Sequence, residues 1–100
     1  MAYFSLIIPV FNRPDEVNEL LESLTLQRCK DFEVIVIDDD CTDKSIEIAK
    51  EFDVKIIKTK HVSVSQARNL GIKEAKGEYL VFFLLFDLAV DRIIVPIYRQ

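Results

Sequence analysis

The feature that most constrains the fold is an apolar run that ends abruptly in carboxylates, at residues 32–43. Residues 34–37 are Val-Ile-Val-Ile, which is typical of a strand covered on both faces in a parallel sheet. Three aspartates follow at residues 38–40, and Thr42 or Asp43 can cap a helical segment after them. In open α/β sheets, ligands bind beyond the carboxyl ends of the strands. The stretch therefore predicts a buried strand that delivers acidic side chains to a ligand-binding edge.

Upstream of this stretch, the sequence predicts one strand and one helix. Residues 4–10 form a hydrophobic segment, and Pro14 fits the first turn of a helix whose positive end suits Asp15 and Glu16. Apolar side chains recur along one face of that helix, at Val17, Leu20, Leu21 and Leu24.

Downstream, the pattern predicts a second helix and a third strand. Ile46, Ala49 and Phe52 mark the inner face of a helix that ends near Phe52. Residues 54–59 alternate apolar side chains with lysines, which favours a strand at an exposed sheet edge guarded by charge.

A third helix and a fourth strand complete the pattern. Ser63 and Ser65 are both candidate helix caps, and Gly77 is a plausible stop. The residues that mark one helical face are Val64, Ala67, Gly71, Ile72 and Ala75. Residues 79–86 form the most apolar stretch of the chain and predict a central strand.

Four strands separated by three helices give an α/β fold. Right-handed crossovers then require a parallel sheet with helices on both faces, and the expected strand order is 3-2-1-4. The switch point falls between strands one and four. It gathers Asn12, Asp38, Asp39 and Asp87 near one carboxyl edge.

Composition narrows the class of protein. Hydrophobic residues make up 50% of the chain, too many for a disordered segment, and 100 residues predict one small domain. A formal net charge of −4 without a Lys/Arg run argues against a nucleic-acid-backbone binder. The longest apolar run is too short for a transmembrane segment, and two cysteines without a CxxC pair indicate neither disulfides nor zinc. We expect a cytoplasmic protein, in which Cys41, near a helix start, could have a lowered thiol pKa.

Four segments in order resemble a known family. They are Ile-Ile-Pro-Val-Phe-Asn at 7–12, Val-Ile-Asp-Asp-Asp-Cys-Thr-Asp at 36–43, Ser-Gln-Ala-Arg-Asn-Leu-Gly at 65–71 and Lys-Gly-Glu-Tyr-Leu-Val-Phe at 76–82. The set resembles the nucleotide-binding portion of family 2 glycosyltransferases, which have the GT-A fold. The resemblance implies a three-layer α/β/α, Rossmann-like half domain. It also implies inverting transfer of a sugar from a nucleotide diphosphate sugar, usually a uridine one, to an acceptor.

The resemblance implies a nucleotide-binding set that comprises Pro9, Phe11, Asn12, Asp38, Asp39 and Arg68. Pro9 and Phe11 would flank the nucleobase, and Asp39 would accept a hydrogen bond from the edge of the base. Arg68 would approach the diphosphate, since a guanidinium forks onto phosphate oxygens. Considered without the resemblance, the sequence favours core packing for Phe11 and turn formation for Asp39 over ligand binding.

Several positions depart from the usual family pattern. Asp40 stands where the family usually has Gly, Cys41 where it has Ser, Ser63 where it has Gly, and an Asn is usual near His61. Because Asp tolerates a left-handed turn, we expect the backbone to keep its path at Asp40. The additional charge would repel a diphosphate.

The metal site that the resemblance implies lacks its usual residues. Manganese or magnesium would be held by an Asp-x-Asp motif, and this chain has Leu84, Leu85 and Phe86 there. Hard cations need oxygen ligands, which these side chains do not offer. Asp87 is a weak candidate, and Asp91 could share a helical face with it. We therefore expect no bound metal.

The family-like part ends at residue 83, and residues 84–100 form a divergent tail. The second half of a GT-A enzyme, which usually carries the acceptor site and the catalytic base, does not follow. A truncation, a frame change or an engineered terminus would produce such a pattern. No catalytic residue is assigned, and we expect impaired activity for this domain as an isolated chain.

The alternative is a non-catalytic interaction module. A half sheet leaves an apolar edge unpaired, and such edges invite a partner. On this hypothesis the chain forms a homodimer through residues 79–86 or through the tail at 93–98. That tail is apolar enough for a further strand or a clasp across the sheet, although Pro96 removes a ladder donor.

Overall fold

The computed structural model describes residues 3–27, 30–60, 62–86 and 89–96. In chain order, its elements are β1 (Phe4–Val10), α1 (Pro14–Thr25), β2 (Phe32–Asp39), α2 (Ser45–Ala49), β3 (Lys55–Thr59), α3 (Val64–Glu74), β4 (Tyr79–Phe86) and β5 (Ala89–Pro96). The sheet has the order β3-β2-β1-β4-β5, and the pairs among β1 to β4 are parallel. The predicted α/β class and the 3-2-1-4 order are confirmed.

The two faces of the sheet carry separate cores because side chains alternate along each strand. On the α1/α2 face, strand residues such as Ile8 and Val36 pack with Val17 of α1 and Ala49 of α2. On the α3 face, the core residues are Ile7, Ile35, Ile37, Ala67, Ala75, Leu80 and Phe82. The arrangement is the three-layer α/β/α sandwich expected from the sequence. No helix in the described ranges is long and apolar enough to cross a membrane.

The first helix begins where the sequence predicts, and the second is shorter. Pro14 occupies the first turn of α1, with Asp15 and Glu16 beside it. The prediction that α2 ends near Phe52 is wrong, since the helix ends at Ala49. Beyond that point the amide of Phe52 bonds the carbonyl of Ala49 in a tighter turn, from which Phe52 still packs against the core.

The third helix fits the sequence pattern with two corrections. Ala67, Gly71 and Ala75 are buried as predicted, but Ile72 is 37% exposed and Leu70 packs inward instead. The predicted stop at Gly77 is wrong, because α3 already ends at Glu74. Gly77 instead follows in a close contact with β1.

The contact of Gly77 with β1 leaves no room for a side chain at this position. The amide of Gly77 donates to Ser5 Oγ at 2.8 Å, and Ser5 Oγ donates to Glu33 Oε2 at 2.7 Å. A Cβ at position 77 would lie 2.7 Å from Ser5 N and 2.8 Å from the carbonyl oxygen of Tyr3. The close approach therefore locks the start of β4 against β1.

The fifth strand is the main addition to the predicted sheet. β5 pairs antiparallel along β4, from Tyr79 opposite Pro96 to Phe86 opposite Ala89. The tail thus forms a further strand rather than a clasp, and Ile97 and Tyr98 lie outside the described residues. β4 is paired with β1 on its other side. The chain itself therefore covers the edge that the interaction hypothesis left open at residues 79–86, and a homodimer through residues 93–98 stays a prediction.

Candidate functional site

The candidate site lies at the carboxyl ends of β1 and β2, where the acidic turn begins. Asp38 continues the α1/α2 face, is 7% exposed, and accepts a hydrogen bond from the amide of Cys41 at 2.9 Å. A buried carboxylate that bonds the amide three residues later shapes a turn. Its burial and its position on the α1/α2 face separate Asp38 from the other residues of the predicted set that lie on the α3 face.

Asp39 lies on the opposite face, in line with the buried Ile35 and Ile37. Its Oδ1 accepts from Thr59 Oγ1 at 3.2 Å and from the amide of Val62 at 3.1 Å. Thr59 is also the partner of Asp39 in the register of β2 and β3. Neither Thr59 nor Val62 was expected at the site, and their only sequence signal is that Thr59 ends the strand beside β2 and Val62 lies in the loop after it.

Pro9 and Phe11 come from the neighbouring strand. Pro9 is the partner of Ile37 in the parallel register, so its side chain belongs to the α3 face, as that of Asp39 does. Phe11 follows β1 directly and is 49% exposed, which is unusual for a large aromatic side chain. The core-packing alternative for Phe11 is therefore wrong. The structure places an exposed ring at the end of the strand adjacent to Asp39.

Asn12 connects the loops after β1 and β2. Its Oδ1 accepts from the amide of Thr42 at 2.9 Å, and its Nδ2 donates to Thr42 Oγ1 at 3.3 Å. Asn12 and Asp40 have φ angles of 50° and 55°, in the left-handed region that Asn and Asp tolerate best after Gly. The expectation that Asp40 keeps the turn is confirmed.

The helix that follows the acidic turn, α2, begins at Ser45 with Lys44 as its N-cap residue, so the prediction that Thr42 or Asp43 caps it is wrong. Asp43 Oδ1 accepts from the amide of Ser45 at 2.9 Å and from its hydroxyl at 2.6 Å. Lys44, the residue just before α2, makes no side-chain capping bond. Of the two candidates, Thr42 is bonded to Asn12, and Asp43 bonds the first residue of α2 from one position before the N-cap.

Arg68 approaches the site from α3. Because α3 begins just after β3 ends, its first turns lie nearest the carboxyl edge. A Cβ at Gly71 would lie 2.5 Å from Ile7 Cγ2, so the helix packs directly on β1. Arg68 lies three residues earlier, about 4.5 Å closer to the edge along the helix. The helix thus carries the guanidinium over the boundary between β1 and β4.

The guanidinium of Arg68 is only partly satisfied by the protein. Its Cζ lies 5.2 Å from the centroid of the Phe82 ring, in a cation–π contact. Its Nε is buried and has no hydrogen-bond partner among the residues that the structure describes. A buried donor without an acceptor is costly, and an anionic ligand would satisfy it.

Cys41 differs from the prediction of a lowered thiol pKa. Burial raises its pKa to about 11, and the neighbouring carboxylates of Asp38 and Asp43 also disfavour the thiolate, while a backbone hydrogen bond at Asn12 acts in the opposite direction. The Sγ lies 3.3 Å from the carbonyl oxygen of Val10 and donates to it. The thiol is a structural link between the ends of β1 and β2, and the prediction is wrong because α2 is short and lies beyond an acidic turn.

The residues present do not fit the metal that the resemblance implies. No group of three His, Cys, Asp or Glu side chains that could hold a metal ion occurs within the described residues. The segment Leu84-Leu85-Phe86 lies in β4 and has no side-chain oxygen. Asp87 lies outside the described residues. Asp91 lies in the strand β5, so the alternative in which it shares a helical face with Asp87 is wrong.

A groove of about 500 Å³ lies at the opposite end of the strands. Its lining includes Tyr3, Phe32, Phe52 and Val54, together with Lys30 and Lys55. None of the six residues of the predicted nucleotide-binding set lines it. The set belongs to the carboxyl edge, which is where open α/β sheets bind ligands.

Comparison with known proteins places the chain among glycosyltransferases. The family model described as Glycosyl transferase family 2 matches residues 5–83. An uncharacterized glycosyltransferase of Rickettsia felis is 40% identical over 88 residues, covering 84% of this chain and 15% of that protein. The poly(ribitol-phosphate) beta-N-acetylglucosaminyltransferase TarS of Staphylococcus aureus is 33% identical over 90 residues, covering 82% of this chain and 16% of TarS.

The fold of the chain also matches solved structures of glycosyltransferases. The crystal structure of S. aureus TarS 1-349 in complex with UDP-GlcNAc matches with a TM-score of 0.73 at 33% identity, covering 80% of this chain and 25% of that one. The mannosyltransferase PcManGT from Pyrobaculum calidifontis, in complex with GDP-Man and Mn2+, has a TM-score of 0.73 at 21% identity, covering 80% and 26% of the two chains. The latter likeness shows the fold alone.

The sheet order, the crossovers and the acidic edge define an α/β domain of the GT-A glycosyltransferase type. Within that class, this chain belongs to glycosyl transferase family 2, whose model matches most of its length. The resemblance stated from the sequence is confirmed. The chain spans 15% of the length of the Rickettsia felis relative, so it corresponds to a small part of that protein.

Proposed function

We propose that this domain binds a nucleotide diphosphate sugar, with a uridine nucleotide favoured, as the donor for glycosyl transfer to an acceptor. The observation that carries the proposal is that Asp39, at the end of β2, and Arg68, whose guanidinium lies over Phe82 of β4, are on the α3 face of the sheet, on either side of β1. A carboxylate and a guanidinium are the groups that recognise a base N–H and a diphosphate.

The base lies between the ends of β1 and β2 in this proposal. Pro9 and the exposed ring of Phe11 flank it, and Asp39 accepts a hydrogen bond from its edge. The support is the parallel register, which gives Pro9 and Asp39 the same face, and the 49% exposure of Phe11. Asn12 and Asp38 act indirectly, since each bonds the loop that follows β2.

The diphosphate faces Arg68 in this proposal. The support is the buried Nε, which lacks an acceptor among the described residues. The cation–π contact with Phe82 restrains the guanidinium before a ligand arrives, which reduces the entropy lost on binding. The negative charge of Asp40 beside the site opposes diphosphate binding, so we expect modest affinity.

The chain's own residues bind and orient the donor, and the side chains at residues 84–86 offer no oxygen ligand for a metal. TarS, which is 33% identical, is named a beta-N-acetylglucosaminyltransferase, and its structure holds UDP-GlcNAc. A 100-residue domain without an assigned catalytic base is expected to turn over poorly by itself.

Isothermal titration calorimetry of the chain with uridine diphosphate tests the proposal, with and without manganese. We expect a dissociation constant tighter than about 1 mM and little dependence on manganese. Absence of binding at millimolar nucleotide, with a folded chain by circular dichroism, would remove the nucleotide claim.

Two substitutions assign the binding to the proposed groups. Asp39→Asn is expected to weaken binding about ten- to hundredfold, as loss of a charged acceptor does. Asp53→Asn, the same change at an exposed position before β3, is the matched control and leaves binding unchanged. Arg68→Lys keeps the charge but loses the planar fork, and is expected to weaken uridine diphosphate more than uridine. Equal losses for the two ligands would contradict the role of Arg68.

A further inference from the structure

The carboxylate of Asp39 is held through one of its two oxygens. Oδ1 accepts from Thr59 Oγ1 at 3.2 Å and from the Val62 amide at 3.1 Å. In the described part of the chain, no donor reaches Oδ2. Both donors come from the end of β3 and the loop after it, on the side of β2 away from β1. The neighbouring elements therefore engage Oδ1 and leave Oδ2 as the available acceptor.

The hydroxyl of Thr59 has a choice of acceptor. It lies 3.3 Å from the carbonyl oxygen of Asp38 and 3.2 Å from Asp39 Oδ1, and it has one proton to donate. A carboxylate is the stronger acceptor, because a charged partner roughly doubles the strength of a hydrogen bond. We therefore assign the proton to Asp39.

A carboxylate with one open oxygen suits a base that presents one N–H. Uracil and thymine have a single ring N–H between two carbonyl groups. Guanine presents two adjacent N–H donors, which two carboxylate oxygens satisfy together. Cytosine presents one amino N–H beside a ring nitrogen acceptor, and that ring nitrogen repels the second carboxylate oxygen. A buried donor left without an acceptor is costly, so a site with one open oxygen disfavours guanine.

We propose that Thr59 is a positioning residue, which with the Val62 amide holds Asp39 Oδ1 and so sets the preference of the site for a base with a single N–H donor. The inference rests on the proposed function, since it concerns the same base site. It adds a residue outside the four family-like segments and gives Thr59 a role in choosing the base rather than in contacting it.

The test compares the binding of uridine, guanosine and cytidine diphosphates to the intact chain and to Thr59 variants. Thr59→Val keeps the shape and removes the hydroxyl, whereas Thr59→Ser keeps the hydroxyl. In the unchanged chain, uridine diphosphate is expected to bind at least about tenfold more tightly than guanosine diphosphate. Thr59→Val is expected to reduce that ratio about three- to tenfold, the worth of one hydrogen bond, and Thr59→Ser to preserve it.

The controls separate positioning from folding. Thr25→Val makes the same change at the exposed end of α1, remote from the site, and is expected to leave the ratio unchanged. Thr59→Cys, a weaker donor of similar size, replaces Thr59→Val if that variant does not fold. A ratio that is unchanged in the folded hydroxyl-deficient variant overturns the role of Thr59. So does an equal reduction in Thr59→Ser.

The two proposals fail in different ways. If the unchanged chain does not bind uridine diphosphate, the proposed function fails and the role of Thr59 fails with it. If uridine diphosphate binds and Asp39→Asn loses it, while Thr59→Val keeps the original preference among bases, only the role of Thr59 is wrong.

Discussion

Asn12 and Thr42 are 30 residues apart in the chain and make two hydrogen bonds, from the Thr42 amide to Asn12 Oδ1 and from Asn12 Nδ2 to Thr42 Oγ1. The pair joins the loops that follow β1 and β2. Phe11 precedes one partner, and the acidic turn precedes the other. The relative position of the exposed ring and the carboxylates is therefore fixed by this pair together with the Cys41 thiol, which donates to the Val10 carbonyl.

Asn12→Ala is expected to lower the free energy of unfolding by about 1–3 kcal/mol, because it removes both bonds and places Ala at a positive φ. Asn12→Gly loses the same bonds without the backbone strain, and is expected to recover about 1 kcal/mol of that loss. Urea denaturation followed by circular dichroism measures both. Asn18→Ala in α1, which removes only a long, exposed hydrogen bond to Glu22 at 3.4 Å, is the control and is expected to change stability by less than about 0.5 kcal/mol. Equal values for Ala and Gly at position 12 would contradict the strain argument.

Gly77→Ala is expected to destabilise the fold by about 1–3 kcal/mol, the usual cost of overpacking. The added Cβ would lie 2.7 Å from a backbone nitrogen of β1, which cannot move without disturbing the sheet. Lys76→Ala, at the exposed preceding residue, keeps the amide that bonds Glu33 and is expected to be nearly neutral. Thermal unfolding compares the two variants. A Gly77→Ala variant as stable as Lys76→Ala would show that the contact is looser than described.

Ser63 caps α3 in a capping box, and Ser65 does not. The Gln66 amide donates to Ser63 Oγ at 3.1 Å, and the Ser63 amide donates to Gln66 Oε1 at 3.0 Å. Ser63→Ala is expected to cost about 0.5–2 kcal/mol, whereas Ser65→Ala, inside the helix, gains a few tenths of a kcal/mol from helix propensity. Chemical denaturation of the two variants provides a matched comparison. Ser63→Asp should restore most of the loss, and its failure to do so would argue against capping.

The thiol of Cys41 is expected to react slowly in the folded chain, because burial raises its pKa to about 11 from an ordinary value of 9.0. In a Cys29→Ser background, alkylation by iodoacetamide should stay slow up to pH 9 and accelerate towards pH 11, while the chain in urea follows the ordinary value. The measurement is mass spectrometry of the alkylated fraction over time. Fast alkylation of the folded chain at neutral pH would contradict the burial of the thiol.

The same shift makes stability depend on pH. Because the folded pKa lies above the unfolded one, the stabilisation is complete below pH 9 and is lost as the pH rises through about 11. The unfolding free energy of the chain should therefore fall over this range relative to Cys41→Ser, which has no thiol to ionise. If the unfolding free energy varied with pH in the same way for the two proteins, the Cys41 thiol would make no contribution to the pH dependence.

Much of the fold follows from local sequence patterns. Four apolar segments of strand length alternate with helical segments, and short right-handed crossovers leave few arrangements for them. The tail at residues 93–98 was ambiguous for a physical reason. An antiparallel strand beside β4 and a clasp across the sheet have the same apolar composition, and only the long-range pairing of Val95 with Leu80 and Ile94 with Val81 distinguishes them.

The location of the site could be predicted from the sequence, but the hydrogen bonds and the thiol pKa within it could not. The period of two along β2 separates Asp38 from Asp39, so the opposite faces of the two carboxylates follow from the sequence once β2 is known. The hydrogen bonds from Thr59 and Val62 to Asp39 do not follow from the sequence. These two residues are 20 and 23 positions from Asp39, and they reach it only when β3 pairs with β2. The prediction of a lowered pKa for the Cys41 thiol was wrong for a related reason, since this pKa depends on neighbours that the fold brings together.

The sequence by itself determined the four parallel strands, their 3-2-1-4 order and the acidic edge, because these follow from the alternation of strand and helix patterns along the chain and from the handedness of short connections. The tertiary structure alone decided which oxygen of Asp39 is available, that Arg68 stacks on Phe82, and that the tail extends the sheet. These features depend on hydrogen bonds and packing between distant segments, whose geometry no local pattern specifies.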